Sequence, residues 1–260
     1  TTLVFPLAFT SGTTTVLWAI EGAMLVWLGL HQDERRLRWA GLALQAFAAA
    51  ALLDTPAPSI DAVAVMNPRT LGAPAIALSA LFSAWRYSLA QASHPLIGLL
   101  AAYGFGAWYI GGELEVDRLV VHPYESHAAL VFFALTAVVA AGLRRVSGLR
   151  ALSWPSLLLL CTLPVFVPMT DDDAGSPLSS AGVWAWPLTW ACAWLSLHWL
   201  RDPWPRGLGW AHVIGWLSLP LLASMELYAR SGLHPDIVGG MLDGLGGDWQ
   251  LLLTALPWWL

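Results

Sequence analysis

The residues best suited to chemistry lie in one polar stretch, residues 111–127, with the sequence GGELEVDRLVVHPYESH. Glu113 and Asp117 are four residues apart, so a helix would place both carboxylates on one face, with Arg118 beside them. Carboxylates and imidazoles can exchange protons with a substrate, and arginine can hold an anionic group. We therefore take as catalytic candidates Glu113 or Asp117 as general base and His122 as proton shuttle. The binding candidates of the stretch are Arg118, Glu125 and His127.

Three interpretations of residues 111–127 are open. The simplest is a solvated loop with local ion pairs, and the second is a site for proton transfer or for binding a sugar or phosphate. The third is a metal site, since two histidines and several carboxylates could ligate a divalent cation. The spacing matches no HExxH or similar pattern, so we expect neither a metal nor a cofactor.

Glu21 is a separate candidate, because it is the acidic residue that lies well inside an apolar span. A carboxylate buried in a membrane is costly unless it is paired or protonated, which makes such a residue a candidate for ligand binding. The expected partners are a tryptophan indole N–H, a threonine hydroxyl at positions 13–15, or Arg86. The alternative is a structural hydrogen bond between helices, beside the close-packing Gly22.

The elements that position these residues are apolar helices. The chain is 57% hydrophobic and 11% charged, whereas a soluble domain carries about a quarter charged residues. Runs long enough to cross a bilayer predict an all-α, polytopic transmembrane helical bundle of about eight or nine spans, built from repeated helical hairpins. We expect a single membrane domain, residues 1–260, that is a fragment of a longer multi-spanning protein. The predicted spans are 14–30, 37–53, 71–90, 96–110, 128–143, 152–168, 182–200, 208–227 and one that begins near 251.

The distribution of charge predicts how the chain is threaded. Nine of the twelve arginines lie in alternate turns, beginning with the turn at 31–38. The remaining loops hold three arginines and, with the residues next to them, thirteen of the seventeen acidic residues. Because arginine is retained on the cytoplasmic side, the acidic loops are expected outside. These are loops 54–70, 111–127, 169–181 and 228–250.

A short motif occurs twice. WLGLH at residues 27–31 returns as WLSLH at 194–198, and each copy is followed by an arginine-bearing turn and then Trp-Ala. The repetition suggests duplication of a helical hairpin. The alternative is convergent use of tryptophan and leucine at a membrane interface.

Three stretches resemble a known family. WAIEGAMLVWLGLHQDERRLRWAGLALQ at residues 18–45 resembles the signature hairpin of domain-of-unknown-function family 2339, a group of bacterial predicted membrane proteins. WYIGGELEVDRLV at 108–120 and WPLTWACAWLSLHWLR at 186–201 resemble later blocks of the same family. The resemblance implies a long, multi-pass protein of the bacterial cytoplasmic (inner) membrane, often with a soluble N-terminal region. It implies no particular reaction.

Two functions are compatible with these observations. The favoured one is a non-enzymatic, transporter-like or scaffold component of the cell envelope, since catalytic constellations are nearly absent and transporters are often built from repeats. The alternative is an envelope enzyme that acts on a lipid-linked or polysaccharide substrate at the outer, periplasmic face. The expected partners are the lipid bilayer, a lipid or glycan ligand and other membrane subunits. Net charge of −5 without a basic stripe disfavours nucleic acid.

Overall fold

The fold is a bundle of helices. The computed structural model describes residues 11–55, 67–91, 93–174, 176–200 and 207–231. These ranges form eight α-helices and a short 3-10 helix, Arg150–Ser153, and contain no strand, which confirms the predicted all-α class. The predicted ninth span lies outside the described residues. The helices are α1 Ser11–His31, α2 Arg35–Leu53, α3 Pro68–Ala90, α4 Pro95–Leu119, α5 Glu125–Ser147, α6 Trp154–Ala174, α7 Gly182–Trp199 and α8 Gly207–Ser231.

The apolar character expected of a membrane protein is present in the helices. Three segments are long and apolar enough to cross a membrane, namely Gly12–His31, Glu125–Ser147 and Arg150–Thr170. Within α8, His212–Leu227 forms a shorter apolar stretch. Large apolar side chains such as Met24, Val139 and Trp194 are exposed on the helix surfaces, where lipid can cover them. The multi-pass threading and its orientation stay predictions.

The helices pack in two groups. In the first group α1 packs on α2 and α3, and α3 packs on α4; in the second, α5 packs on α6 and α7, and α6 packs on α8. Leu130, Leu163 and Trp186 belong to the apolar cluster among α5, α6 and α7. A second cluster contains Tyr87 of α3 and Tyr109 of α4, and includes residues of α5 and of the 3-10 helix, so it joins the two groups.

Small residues bring the helices of the first group close together. A Cβ atom on Gly22 of α1 would lie 2.7 Å from the carbonyl oxygen of Gly41 in α2, and one on Gly41 would lie 2.5 Å from the carbonyl oxygen of Gly22. Between α3 and α4, a Cβ atom on Gly111 would overlap the Cβ atom of Ala73. Such backbone contacts are typical of helix pairs in membranes, where burial of apolar surface against another helix gains little over lipid.

The described parts of the predicted outer loops meet at one end of the bundle, which we call the acidic end. Two contacts join these loops, Asn67 with Glu115 and His127 with Pro177, and Ser176 also contacts Glu226 near the end of α8. At the opposite end the Trp85 indole N–H donates to the carbonyl oxygen of Ser147 at 3.3 Å, close to the arginines at the end of α5. The grouping agrees with the alternation of arginine and acidic residues along the chain.

The duplicated motif has the same local structure in both copies. Trp27 stacks on His31 with ring centroids 6.4 Å apart and an interplanar angle of 23°, and Trp194 stacks on His198 at 5.4 Å and 20°. Each pair lies in the last turns of its helix, where a histidine is favoured by the helix dipole. The surroundings differ, because α1 packs on α2 whereas α7 packs on α5 and α8 packs on α6.

The α1–α2 contact predicts opposite effects for two Gly→Ala substitutions. In Gly41→Ala the added Cβ meets backbone atoms of α1, so we expect a loss of about 1–3 kcal/mol in unfolding free energy. Gly106→Ala is the matched control within α4, since no atom lies within 4 Å of its Cβ position, and helix propensity predicts a gain of up to about 1 kcal/mol. Reversible unfolding in mixed micelles measures both. Equal stabilities of the two variants would contradict the close contact.

Candidate functional site

Helix α4 continues beyond the end of its predicted span. The span was expected to end at residue 110, but α4 extends to Leu119 and closes with the Val120 N–H bonded to the carbonyl oxygen of Val116. Most of the charged groups of residues 111–127 therefore lie on a helix and are held in fixed relation to one another. The segment 120–124 connects this helix to α5, which begins at Glu125.

Glu115 is the centre of a polar network at the acidic end. Its Oε2 atom accepts hydrogen bonds from Thr70 Oγ1 at 2.7 Å, Arg118 Nε at 3.2 Å and Asn67 Nδ2 at 3.5 Å. A second guanidinium nitrogen of Arg118, Nη2, donates to Oε1 of the same carboxylate. The side chains of Glu115 and Arg118 are each only 12% exposed. The carboxylate is thus neutralised by a bidentate ion pair, which is the strong form of the interaction.

The start of α3 is built to meet this carboxylate. Asn67 caps the helix, because its side-chain oxygen accepts the Thr70 N–H at 2.9 Å, and Pro68 follows at the first helical position. The Asn67 amide also donates to Thr70 Oγ1 at 2.6 Å, which directs the hydroxyl proton toward Glu115. The positive end of the α3 dipole therefore faces a negative side chain of α4.

An apolar cavity of about 600 Å³ begins beside this network, between α2, α3 and α4. Its volume is within the range typical of ligand sites. Leu52, Ile76 and Tyr103 line its apolar part, and the polar residues at its acidic end are Thr70, Glu115, Asp117 and Arg118. A smaller cavity of about 280 Å³ lies next to it and is lined by Trp108 and Phe132. Both cavities share Thr70, Gly111 and Glu115, so they flank the close contact of α3 with α4.

The three catalytic candidates are placed differently. Asp117 is exposed and lines the larger cavity. Glu113 is half-buried one turn earlier, beyond the end of the predicted span, and lines neither cavity. Burial raises the pKa of Glu113, and repulsion from Asp117 raises it further. His122 is exposed in the connection to α5 and also lies outside the cavity walls. The structure therefore does not bring the three groups together around one cavity.

Of the binding candidates in this stretch, Arg118 lines the larger cavity, whereas Glu125 and His127 lie at the start of α5. Glu125 is half-buried. His127 is 2% exposed, and its Nε2 atom lies 3.2 Å from the carbonyl oxygen of Pro177. A carbonyl can only accept, so this nitrogen carries the proton. His127 thus connects α5 to the segment that precedes α7, away from the cavity.

Glu21 lies half-buried on the flank of α1 next to Gly22. The expected partners do not pair with it: within the described ranges, no tryptophan, threonine or arginine forms a hydrogen bond or ion pair with Glu21. Its neighbour Gly22 makes the close contact with α2 that the sequence suggested. A ligand-binding role for Glu21 stays a prediction.

Two polar groups were not singled out from the sequence. Glu226 of α8 is 8% exposed, and its carboxylate accepts hydrogen bonds from the Leu178 N–H at 3.0 Å and from the Ser176 hydroxyl. Gln45 of α2 is 2% exposed and donates to Ser83 of α3 at 2.8 Å. In the sequence the only signal for either residue is a single polar group within or at the end of an apolar run.

Residues 1–259 match the model of the family described as Predicted membrane protein (DUF2339). The chain belongs to the DUF2339 family. Membership confirms the resemblance carried by residues 18–45, 108–120 and 186–201, and it supports contact with a lipid bilayer. No curated protein and no solved structure matches the chain. The family description names no activity.

The donor groups of the site bear on metal binding as well. In the part of the chain that the structure describes, no three His, Cys, Asp or Glu side chains come together. A closed zinc site needs four such ligands, and an open one needs three. The polar network around Glu115 is instead composed of hydrogen-bond donors that surround a single carboxylate.

The Thr70–Glu115 hydrogen bond can be tested with a pair of substitutions. Thr70→Val removes the hydroxyl at nearly constant volume and leaves a largely buried carboxylate without one of its donors. We expect a loss of about 1.5–3 kcal/mol in unfolding free energy, as for other hydrogen bonds to charged groups. Thr70→Ser retains the hydroxyl and is the control. Similar losses for the valine and serine variants would contradict a role for the hydrogen bond.

The raised pKa of Glu113 predicts a pH dependence of stability. Because the folded state holds this proton more tightly than the unfolded state, the favourable contribution is complete below the ordinary pKa of the carboxyl group. It is lost as the pH rises through the raised value. Asp117→Asn should lower the pKa of Glu113 without returning it to the ordinary value, since burial remains. Titration of the Glu113 carboxyl by NMR measures this, with Glu34→Gln at the opposite end as the control. An unchanged pKa in Asp117→Asn would exclude the repulsion.

Proposed function

We propose that this DUF2339 member is a non-enzymatic, transporter-like component of the bacterial cell envelope that binds an amphipathic lipid molecule between α2, α3 and α4. The observation that carries the proposal is the coincidence of an apolar cavity of about 600 Å³ with a charged end. A ligand that fits both parts has a hydrocarbon portion and a polar headgroup.

The apolar part of the cavity suits a hydrocarbon chain. Most of its wall is formed by aliphatic residues of the three helices, among them Leu53, Ile76 and Ile110. Tyr103 also lines it, but its hydroxyl donates to the backbone carbonyl of Gln45 at 2.7 Å. The hydroxyl is therefore used within the protein, and the tyrosine contributes mainly the apolar surface of its ring.

The charged part of the cavity suits a headgroup at the level of the membrane surface. Thr70, Glu115 and Arg118 belong to the acidic end, which the arginine distribution predicts to lie outside the inner membrane. A lipid of the outer leaflet would then place its chain along α4 and its headgroup beside the end of α4. In this proposal the four acidic loops are periplasmic, and the chain passes the bilayer repeatedly.

The second candidate, an envelope enzyme with a lipid-linked or polysaccharide substrate, is favoured by one observation: Asp117 lines the cavity. A general base has to reach the proton that it removes. Glu113 and His122, the other groups proposed for proton transfer, lie outside the cavity walls. Binding without catalysis therefore agrees better with this arrangement, because it does not require Glu113 and His122 to reach the ligand.

The proposal predicts that filling the cavity removes the lipid. Gly106 lines the cavity, and no atom lies within 4 Å of its Cβ position, so Gly106→Leu should occupy the cavity without disturbing the packing of the helices. We expect the amount of co-purified lipid per protein to fall by about tenfold or more, which corresponds to about 1.4 kcal/mol in binding free energy. Quantitative mass spectrometry of the protein purified in mild detergent measures this ratio.

The matched control for this experiment is Gly209→Leu. Gly209 also has open space at its Cβ position, but it lies in α8, away from the cavity. The control should retain the lipid of the unmodified protein. Equal lipid content in Gly106→Leu and Gly209→Leu would refute binding in the cavity. The enzyme would be favoured instead if Asp117→Asn keeps the bound lipid but no longer converts a lipid-linked or polysaccharide substrate.

A further inference from the structure

We infer that the cavity selects a zwitterionic phospholipid, with the ammonium group of the headgroup beside Asp117 and its phosphate toward Arg118. The inference rests on the proposed lipid binding and names the class of lipid. It follows from the charges around the acidic end of the cavity.

The charge of Glu115 is compensated within the protein. Its carboxylate receives donors from Asn67, Thr70 and Arg118, and the ion pair with Arg118 is largely buried. A headgroup that approaches this pair meets a dipole rather than a net charge. Glu115 therefore positions Arg118 and does not itself attract a cation strongly.

Asp117 is the charge that a headgroup meets. It is exposed, lines the cavity, and forms no hydrogen bond or ion pair with any residue that the structure describes. Glu113, one turn earlier in α4, is close enough to Asp117 for the charge of Asp117 to raise the pKa of Glu113, so two carboxylates lie near each other at this point. A negative rim attracts an ammonium group and repels a headgroup that carries only negative charge.

The rest of residues 111–127 adds to the same potential, because this stretch contains four acidic side chains and one arginine. Within a Debye length of about 8–10 Å such charges act together. A purely anionic lipid is thereby disfavoured.

Arg118 distinguishes a zwitterion from a simple cation. It is the one basic side chain among the described residues that line the cavity, and it follows Asp117 directly in α4. Arg118 is the positive end of the dipole that it forms with Glu115, and a guanidinium group is well suited to phosphate. Adjacent negative and positive groups on the protein match adjacent positive and negative groups in a zwitterionic headgroup.

The experiment measures which lipids the full chain retains from a defined bilayer. The protein is reconstituted in nanodiscs with equal parts of phosphatidylethanolamine, phosphatidylglycerol and diacylglycerol, then extracted, and the bound lipids are quantified by mass spectrometry. We expect phosphatidylethanolamine to be enriched over phosphatidylglycerol by about fivefold, the size expected for a favourable surface charge contact. Asp117→Asn should abolish most of the enrichment, and Asp117→Lys should reverse it.

The matched control is Asp54→Asn. Asp54 is exposed at the end of α2 and carries the same charge, but it does not line the cavity. The control should keep the enrichment. Equal retention of the zwitterionic and anionic lipids, or a preference that Asp117→Asn and Asp117→Lys leave unchanged, would overturn the headgroup inference while lipid binding stands. Preferential retention of diacylglycerol would overturn it too. Retention of no lipid, with no difference between Gly106→Leu and Gly209→Leu, would overturn both proposals.

Discussion

Close approach of helix backbones at glycine and alanine is the constraint on which the first half of this structure depends. Gly22 and Gly41 bring α1 and α2 together, and Gly111 against Ala73 does the same for α3 and α4. In a membrane the hydrophobic effect contributes little to helix association, so close packing and polar contacts decide which helices pair. Where α3 and α4 touch at Gly111, the larger side chains around the contact leave room on both sides, and the two cavities lie there.

The polar network at Glu115 is the second element, and it depends on the first. Only because α3 and α4 approach closely can Thr70 reach the carboxylate across the helix boundary. The ion pair with Arg118 then keeps both charges compensated although they are largely buried, which an isolated charge would not tolerate. This combination of an apolar cavity and a charged network is the reason for which we propose a ligand with a hydrocarbon chain and a charged headgroup.

Much of the fold could be predicted from the sequence, because each predicted apolar run in the part of the chain that the structure describes is a helix. The end of α4 could not be predicted. In the sequence the charged residues from Glu113 onward look like a loop, because the helix that packs against them is not known at that point. Glu115 is one of the four acidic residues in the stretch 111–127, and nothing in their spacing distinguishes it from the other three. Its role comes from Thr70 and Asn67, which are more than forty positions away. Glu226 was missed for the same reason, since its partners lie in the segment before α7.

The sequence by itself determined the class of protein, the helices and the family, because hydropathy, arginine placement and the Trp-Ala hairpins are local properties of the chain. It also showed that the polar residues of 111–127 form one stretch of the chain. Only the tertiary structure decided which of them share a cavity: Asp117 and Arg118 do, whereas Glu113, His122 and His127 do not. The physical reason is that a helix rotates successive side chains by about 100°, so neighbours in the sequence face different helices, and the packing of α2 and α3 selects among them.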